Sequence, residues 1–243
     1  PRCQTAIADS EVEYWDETDY SIYVKFPVKG EENTYIVIWT TTPWTIPANV
    51  AVAVNPAFQY SRVRAWKDGR PEILIMASEL VDSVLRTGRY QDYELLQELS
   101  ADDMQRLSYE HPLLDLIPRQ REIDHGVYAA DFVTAENTGC VHIAPGHGLE
   151  DYELGMEHHL EIFCPVGEDG RYTAGAGERY LGQYVKEADS IVIDDLEERG
   201  KLLAQGRLAH RYGHCWRCKT PIIFIATNQW FLRISDLRDK MLE

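Results

Sequence analysis

Between Tyr20 and Ala77, separate short segments place β-branched and aromatic residues at alternating positions. Tyr20–Val28, Thr34–Thr40, Val50–Val54, Phe58–Ala65 and Glu72–Ala77 each read as a strand, the last two flanking the turn signal Asp68-Gly69. Five successive segments whose side chains alternate between faces commit the first third of the chain to sheet and exclude an all-helical fold. Helical signals come later. Ser78 before Glu79-Leu80-Val81, with Gly88 behind, predicts a short capped helix, and Ser100 with Asp103 predicts a capping box opening a second. Gly126–Val133 and Cys140–Ala144 read as paired strands around Glu136-Asn-Thr-Gly139. Leu149–His159 reads as a helix whose first turn carries Glu150 and Asp151, favourable near its N-terminus. Ala188–Arg199, stopped by Gly200, is a further helix, Leu208–Tyr212 and Ile222–Thr227 return to strand, and Ser235 opens a final helix. The fold class expected is mixed, strand-rich α/β.

The 243 residues suffice for one large domain or two small ones with a sizeable core. Lys and Arg number 24 against 40 Asp and Glu, a net charge of −16, which argues against a domain that grips duplex nucleic acid by its backbone. Any nucleic-acid partner is held locally. The longest apolar runs, Tyr35–Trp39 and Pro221–Ala226, are far shorter than the ~20 residues of a membrane span, so no membrane partner is expected. Five scattered cysteines, an odd number, do not form a secreted disulfide framework and imply a reducing compartment, the cytoplasm. The chain opens on Pro1-Arg2-Cys3 and stops after Lys240-Met-Leu-Glu243, as a piece of a longer protein does.

Three segments carry chemistry. In Trp39-Thr-Thr-Thr-Pro-Trp-Thr-Ile-Pro-Ala-Asn49, three threonines at a strand end precede Pro43 and Pro47, which forbid an interior strand and leave a rigid polar rim of hydroxyls and free amides. A Thr-rich strand end with a proline turn is the plainer reading. In His142-Ile-Ala-Pro-Gly-His-Gly-Leu-Glu-Asp151, a strand histidine is followed by a glycine-punctuated loop and by carboxylates opening a helix. His142, His147 and Asp151 are competent metal ligands, but their spacing matches neither a zincin nor a zinc finger. The plainer readings are a hydrogen-bonded core histidine and a helix-terminal aspartate. In His214-Cys-Trp-Arg-Cys218, a Cys-x-x-Cys knuckle supplies two of the four ligands a structural zinc needs, and Cys3 suggests a second knuckle begun before residue 1. A redox motif is the weaker reading, as no thioredoxin-like βαβ pattern accompanies it.

Together, Trp39-Thr-Thr-Thr-Pro-Trp-Thr45 with Pro-Ala-Asn49, Gly139-x-Val-His-x-Ala-Pro-Gly-His-Gly-x-x-Asp151, and His214-Cys-Trp-Arg-x-Lys-Thr-Pro with Thr227-x-x-Trp-Phe231 resemble the editing (CP1) insertion of isoleucyl-tRNA synthetases, in order and over nearly the whole chain. Valyl and leucyl relatives usually carry Thr-Thr-Arg-Pro-acid-Thr where this chain has Thr40-Thr-Thr-Pro-Trp-Thr45, which favours the isoleucyl branch. The adenylate-forming signatures His-Ile-Gly-His and Lys-Met-Ser-Lys-Ser do not occur.

The resemblance implies a β-barrel-like core with peripheral helices, divided as a zinc-knuckle remnant and connector over 1–19, an editing domain over 20–205 and a return connector over 206–243. It implies water-driven hydrolysis of valine from the 3′ end of tRNA(Ile), with no cofactor for editing, a structural zinc held by Cys3, Cys215 and Cys218, and the rest of the synthetase as partner. Asp151 becomes the anchor of the α-ammonium, its carboxylate ionised at the ordinary pKa of ~3.9. Thr40, Thr41 and Thr42 become donors to adenosine, ester and water, with Trp44 as adjoining wall and Asn49 on the same rim. His142 bounds the side-chain pocket, orders the water or acts as general base. A non-catalytic, zinc-organised RNA-binding or structural insert is the alternative.

Overall fold

The computed structural model describes residues 3–230 together with Ile234 and Arg238. Its strands are β1 (Val12–Pro27), β2 (Thr34–Thr40), β3 (Ala51–Val54), β4 (Tyr60–Lys67), β5 (Arg70–Ala77), β6 (Asp92–Leu99), β7 (Gly126–Ala129), β8 (Cys140–Ile143) and β9 (Leu202–Cys215). The α-helices are α1 (Val81–Thr87), α2 (Ala101–Met104), α3 (Leu149–Glu157) and α4 (Val185–Glu198). The mixed, strand-rich α/β architecture stands. Its β core takes the form of two open sheets, not a closed barrel, ordered β6-β4-β5-β2-β1-β9 and β7-β3-β8. In the larger sheet only β2 and β5 run parallel.

Alternation decides which face each strand buries. Ile22, Val24 and Phe26 of β1 and Ile36 and Ile38 of β2 enter the main core with Val52 and Val54 of β3. Val37 between them points the other way, to Val63, Leu74 and Met76 and to Val81, Val84 and Leu85 around α1. On α4, Val185, Ala188, Val192 and Leu196 recur at helical spacing and close the main core. All four residues of β3 are buried, since it is the middle strand of its sheet.

Several elements differ from the sequence expectation. β1 begins at Val12, eight residues early, because it pairs as a two-stranded ribbon with an equally extended β9, from Val12 opposite Cys215 to Tyr20 opposite Arg207. Both strands run unbroken through residues 19–20 and 205–206. β7 and β8 do not pair with each other: β3 lies between them, parallel to β7 and antiparallel to β8. The Ser100–Asp103 capping box forms, but α2 is a single turn. Ser78 caps no helix; its hydroxyl meets Ser61 at 2.8 Å, and a 3-10 turn precedes α1. Beyond an isolated bridge from His214 to Pro221, the segment expected as strand over Ile222–Thr227 joins no ladder. The helix expected from Ser235 lies outside the described residues. No described helix is long and apolar enough to cross a membrane.

Candidate active site

The Thr-rich segment leaves β2 and becomes a 3-10 helix over Pro43–Ala48, with Pro43 supplying a fixed φ at its start. Six successive buried residues there leave backbone groups that need partners, and side chains from distant elements provide them. Asp189 of α4 accepts the Trp44 N–H at 2.8 Å, and Tyr172 donates to Trp44 O. His111 donates to Ile46 O at 2.9 Å, and Gln120 donates to Pro47 O and Asn49 O at 2.8 and 3.0 Å. Burial raises the Asp189 carboxyl to about 7, against the lowering effects of the Trp44 N–H and of Lys186. The rim is rigid because it is clamped from behind.

Opposite it, β8 delivers His142 and the loop after β8 delivers Ala144 and His147. Two glycines shape that loop. A Cβ on Gly146 would stand 2.4 Å from Phe163 O, and one on Gly148 would stand 2.8 Å from Asp151 Cγ. Without it, the Asp151 carboxylate at the start of α3 curls back and accepts the Ala144 N–H at 2.8 Å. Burial lifts this carboxyl to about 6, against the Ala144 bond and helped by Glu150. The sequence expectation of an ordinary carboxylate value fails because that burial has no local signal.

Between the two segments lies a cleft of about 320 Å³ lined by Thr40, Thr42, Trp44, Thr45, His142, Ala144, His147, Asp151, Tyr212 and Phe224. It gathers five of the site residues read from sequence. Thr41 is half-buried and not among the lining residues. Asn49 is fully buried behind the wall, bonded to Ala51 O and His142 Nδ1 at 2.8 and 3.1 Å. His142 is 7% exposed, and burial, with His147 beside it, lowers its pKa to about 3. Its Nε2 faces the Thr45 hydroxyl at 2.8 Å, so both ring nitrogens are engaged.

Five further lining residues, Thr45, Ala144, His147, Tyr212 and Phe224, have no place in the substrate site read from the sequence. Thr45 and His147 sit inside the motifs, and polar side chains at such positions are a usable signal. Tyr212 and Phe224 arrive from the far end of the chain with no local signal. His147 donates from Nδ1 to Phe224 O at 2.9 Å, and the Ala226 N–H reaches Gly146 O at 2.8 Å, which ties that far segment to the loop. Burial lowers the His147 pKa to about 4. Its Nε2 therefore carries a lone pair. The Trp44 and His147 rings meet edge to face at 5.0 Å, and Trp44 Nε1 and His147 Nε2 are buried without a partner among the described residues.

The family of class I tRNA synthetases (I, L, M and V) matches residues 1–243. The chain belongs to this family. Isoleucine–tRNA ligase of Methanothrix thermoacetophila is 71% identical over 244 residues, covering 100% of this chain and 23% of that protein. The corresponding ligase of Archaeoglobus fulgidus is 63% identical over 242 residues, covering 100% of this chain and 24% of its own length. This synthetase chain thus spans about a quarter of the length of the curated relatives it matches. The solved structure of GlLeuRS-CP1 shares the fold, with a TM-score of 0.55 at 14% identity over 75% of this chain and 97% of that one.

Away from the cleft, at the far end of the ribbon, the synthetase chain brings Cys3, Cys215 and Cys218 together, their sulfurs all within 4.8 Å. Cys3 Sγ is 3.6 Å from each of the other two. A tetrahedral zinc with ~2.3 Å bonds sets its sulfurs ~3.8 Å apart, so the donor set fits. Burial opposes a thiolate at Cys218, but hydrogen bonds from Thr220 and from the neighbouring cysteines outweigh it and bring the thiol to about 6. His214 faces away, its nitrogens 3.1 Å from Tyr212 O and 2.8 Å from Glu17. Among the described residues this is the one cluster with metal-ligand geometry, and His142, His147 and Asp151 do not form another.

Proposed function

We propose that this chain is the part of an isoleucyl-tRNA synthetase that hydrolyses valine from mischarged tRNA(Ile). The observation that carries the reading is the cleft itself, where Thr40, Thr42, Trp44, His142 and Asp151 converge from separate segments beside a buried donor and acceptor that have no partner among the described residues. The chemical need is clear. An apolar pocket discriminates one methylene by only ~1–3 kcal/mol, a general limit whose standard illustration is this very synthetase choosing isoleucine over valine. A second site that admits valine and excludes the larger side chain removes the errors.

Asp151 anchors the α-ammonium. The arriving cation turns a carboxyl poised near 6 into a fully ionised partner, and a charge-assisted bond in a half-buried setting is strong. The Thr40 and Thr42 hydroxyls and the Trp44 side chain receive the adenosine and the ester, and water attacks the ester carbonyl. The ester is already activated, so orienting water against it suffices without a covalent nucleophile. His142 serves as wall: with Nδ1 held by Asn49 and Nε2 by Thr45, neither nitrogen is left to take a proton from water. The −16 charge is reconciled if only the flexible single-stranded end of the tRNA enters, its body being held by the remainder of the synthetase. Cys3, Cys215 and Cys218 would hold a structural zinc with a fourth ligand from outside the described residues, remote from the chemistry.

The test is release of valine from Val-tRNA(Ile), and from a valyl ester of adenosine, by the purified chain at high enzyme concentration. Hydrolysis of both with Ile-tRNA(Ile) spared is the expected result. No release above the spontaneous rate from either ester overturns the proposal and leaves a structural insert.

A further inference from the structure

The hydrogen bonds behind His142 run in one direction. Asn49 Nδ2 lies 2.8 Å from Ala51 O, a carbonyl that can only accept, so the amide end facing it is the NH2. The same nitrogen is 3.1 Å from His142 Nδ1, which must therefore accept. The amide oxygen in turn takes a 2.6 Å bond from the Tyr109 hydroxyl. On the other side of the ring, the Thr45 hydroxyl donates its single proton to Thr42 O at 2.8 Å and is left to accept from His142 Nε2–H at 2.8 Å. Every proton from Tyr109 to Thr42 is thus placed by two backbone carbonyls, one at Ala51 and one at Thr42.

We infer that Tyr109 is a positioning residue of this site: by holding the Asn49 amide oxygen it fixes the donor that meets His142 Nδ1, and so sets the plane of the ring against Thr45 and the Thr42 rim. The inference rests on the reading of the cleft as an ester hydrolase. Tyr109 does not touch the cleft; it is 2% exposed, packed between the Phe26 and His125 rings at 5.2 and 5.1 Å. Its hydroxyl has Asn49 as its partner among the described residues. Gln120 braces the same residue from the backbone side, accepting from His125 at 2.8 Å while donating to Asn49 O at 3.0 Å.

Removing the hydroxyl leaves the Asn49 oxygen buried without a donor. Ala51 O still holds the amide nitrogen and Thr42 O still takes the Thr45 proton, so no proton changes place. What is lost is the bond that fixes the plane of the Asn49 amide, and with it a firm donor at His142 Nδ1. One oxygen atom deleted outside the cleft loosens the ring that forms the cleft wall.

The experiment reads the 15N chemical shifts of the His142 ring, assigned by their loss in His142→Gln, together with hydrolysis of valyl and isoleucyl esters. The parent chain is expected to show an Nε2–H tautomer between pH 6 and 8. Tyr109→Phe is expected to keep the Nε2–H tautomer, to move the Nδ1 shift downfield toward that of an imidazole nitrogen without a hydrogen bond, and to lower the valine-over-isoleucine hydrolysis ratio about tenfold, the low end of what one methylene is worth. Tyr60→Phe, which deletes an equally buried hydroxyl bonded to Gly139 O at 3.1 Å outside this chain, is expected to move neither reading. A parent His142 that carries its proton on Nδ1, or both protons, overturns the inference even if Tyr109→Phe fails to fold. A folded Tyr109→Phe with the parent Nδ1 shift and the parent ratio also overturns it. A parent that hydrolyses no valyl ester refutes the hydrolase reading instead, and the spectra then stand alone.

Discussion

Replacing Asp151 by Asn is expected to make the protein more stable and less active at once. The Asp151 carboxyl titrates at about 6 in the folded chain against an ordinary value of 3.8. About two pH units at ~1.36 kcal/mol each come to roughly 3 kcal/mol disfavouring the buried anion, which solvent in the open cleft reduces to ~1–3 kcal/mol. The sign follows from the raised value. Below pH 3.8 the group is protonated in both folded and unfolded states and costs nothing; the penalty develops as pH rises toward 6 and is complete above it. The amide introduced by Asp151→Asn keeps an oxygen for the Ala144 N–H and never ionises. Urea unfolding of parent and Asp151→Asn at pH 4 and pH 8 is expected to show little difference at pH 4 and a variant ~1–3 kcal/mol more stable at pH 8. In the same samples, valyl-ester hydrolysis should fall by ~10–100-fold, the worth of a charged hydrogen bond. A variant that is no more stable at pH 8 than at pH 4, relative to parent, refutes the burial argument. Near-parent hydrolysis by folded Asp151→Asn removes the residue from the site.

His142→Ala opens the wall, so isoleucyl esters should begin to be hydrolysed while valyl hydrolysis persists; loss of both rates would instead make the imidazole a water activator. Thr42→Arg puts a long cation into the rim, and binding of a non-hydrolysable valyl-adenosine analogue, measured by calorimetry, should weaken at least tenfold; unchanged affinity would turn the rim away from the ligand. Asp189→Ala deprives the buried Trp44 N–H of its acceptor and should cost ~1–3 kcal/mol in urea unfolding at pH 4, and less at pH 8, where relief of the buried anion offsets the loss, checked against an exposed Asp194→Ala control. Metal analysis of a chain extended upstream should find one zinc, and its absence would leave Cys3, Cys215 and Cys218 as ordinary thiols.

Strands β2 to β5 are legible in the sequence because each buries one or both faces, and burial writes itself there as alternation or a continuous apolar run. β6 is not: seven of its eight residues are exposed, so nothing selects a pattern. The outer part of the ribbon is hidden in the same way, since Glu13, Asp16 and Glu17 lie where no core demands apolar residues. The insertion of β3 between β7 and β8 depends on partners some 75 to 90 residues apart, which local signals do not encode. At the site, Thr40, Thr42, Trp44, His142 and Asp151 are readable because unusual residues cluster within motifs. Asn49 belongs to the same motif yet works from behind the wall, a distinction that only packing reveals. Tyr109, Gln120 and Asp189 support the site from ordinary-looking surroundings and leave no mark in the sequence at all.

The ladder between β1 and β9 places Val12 directly opposite Cys215, so two points about 200 residues apart in sequence stand ~5 Å apart in space. For a host polypeptide this geometry is that of a graft: the whole sheet-and-cleft body can hang from a single surface turn without stretching the backbone on either side. Nine paired positions from Val12 to Tyr20, at ~3.3 Å each, make a stem ~30 Å long and two strands thick. Such a stem twists more readily than a packed body deforms. Tyr212, paired with Trp15 on that stem, is also a wall of the cleft, so a twist of the stem is transmitted to the cleft instead of leaving it untouched.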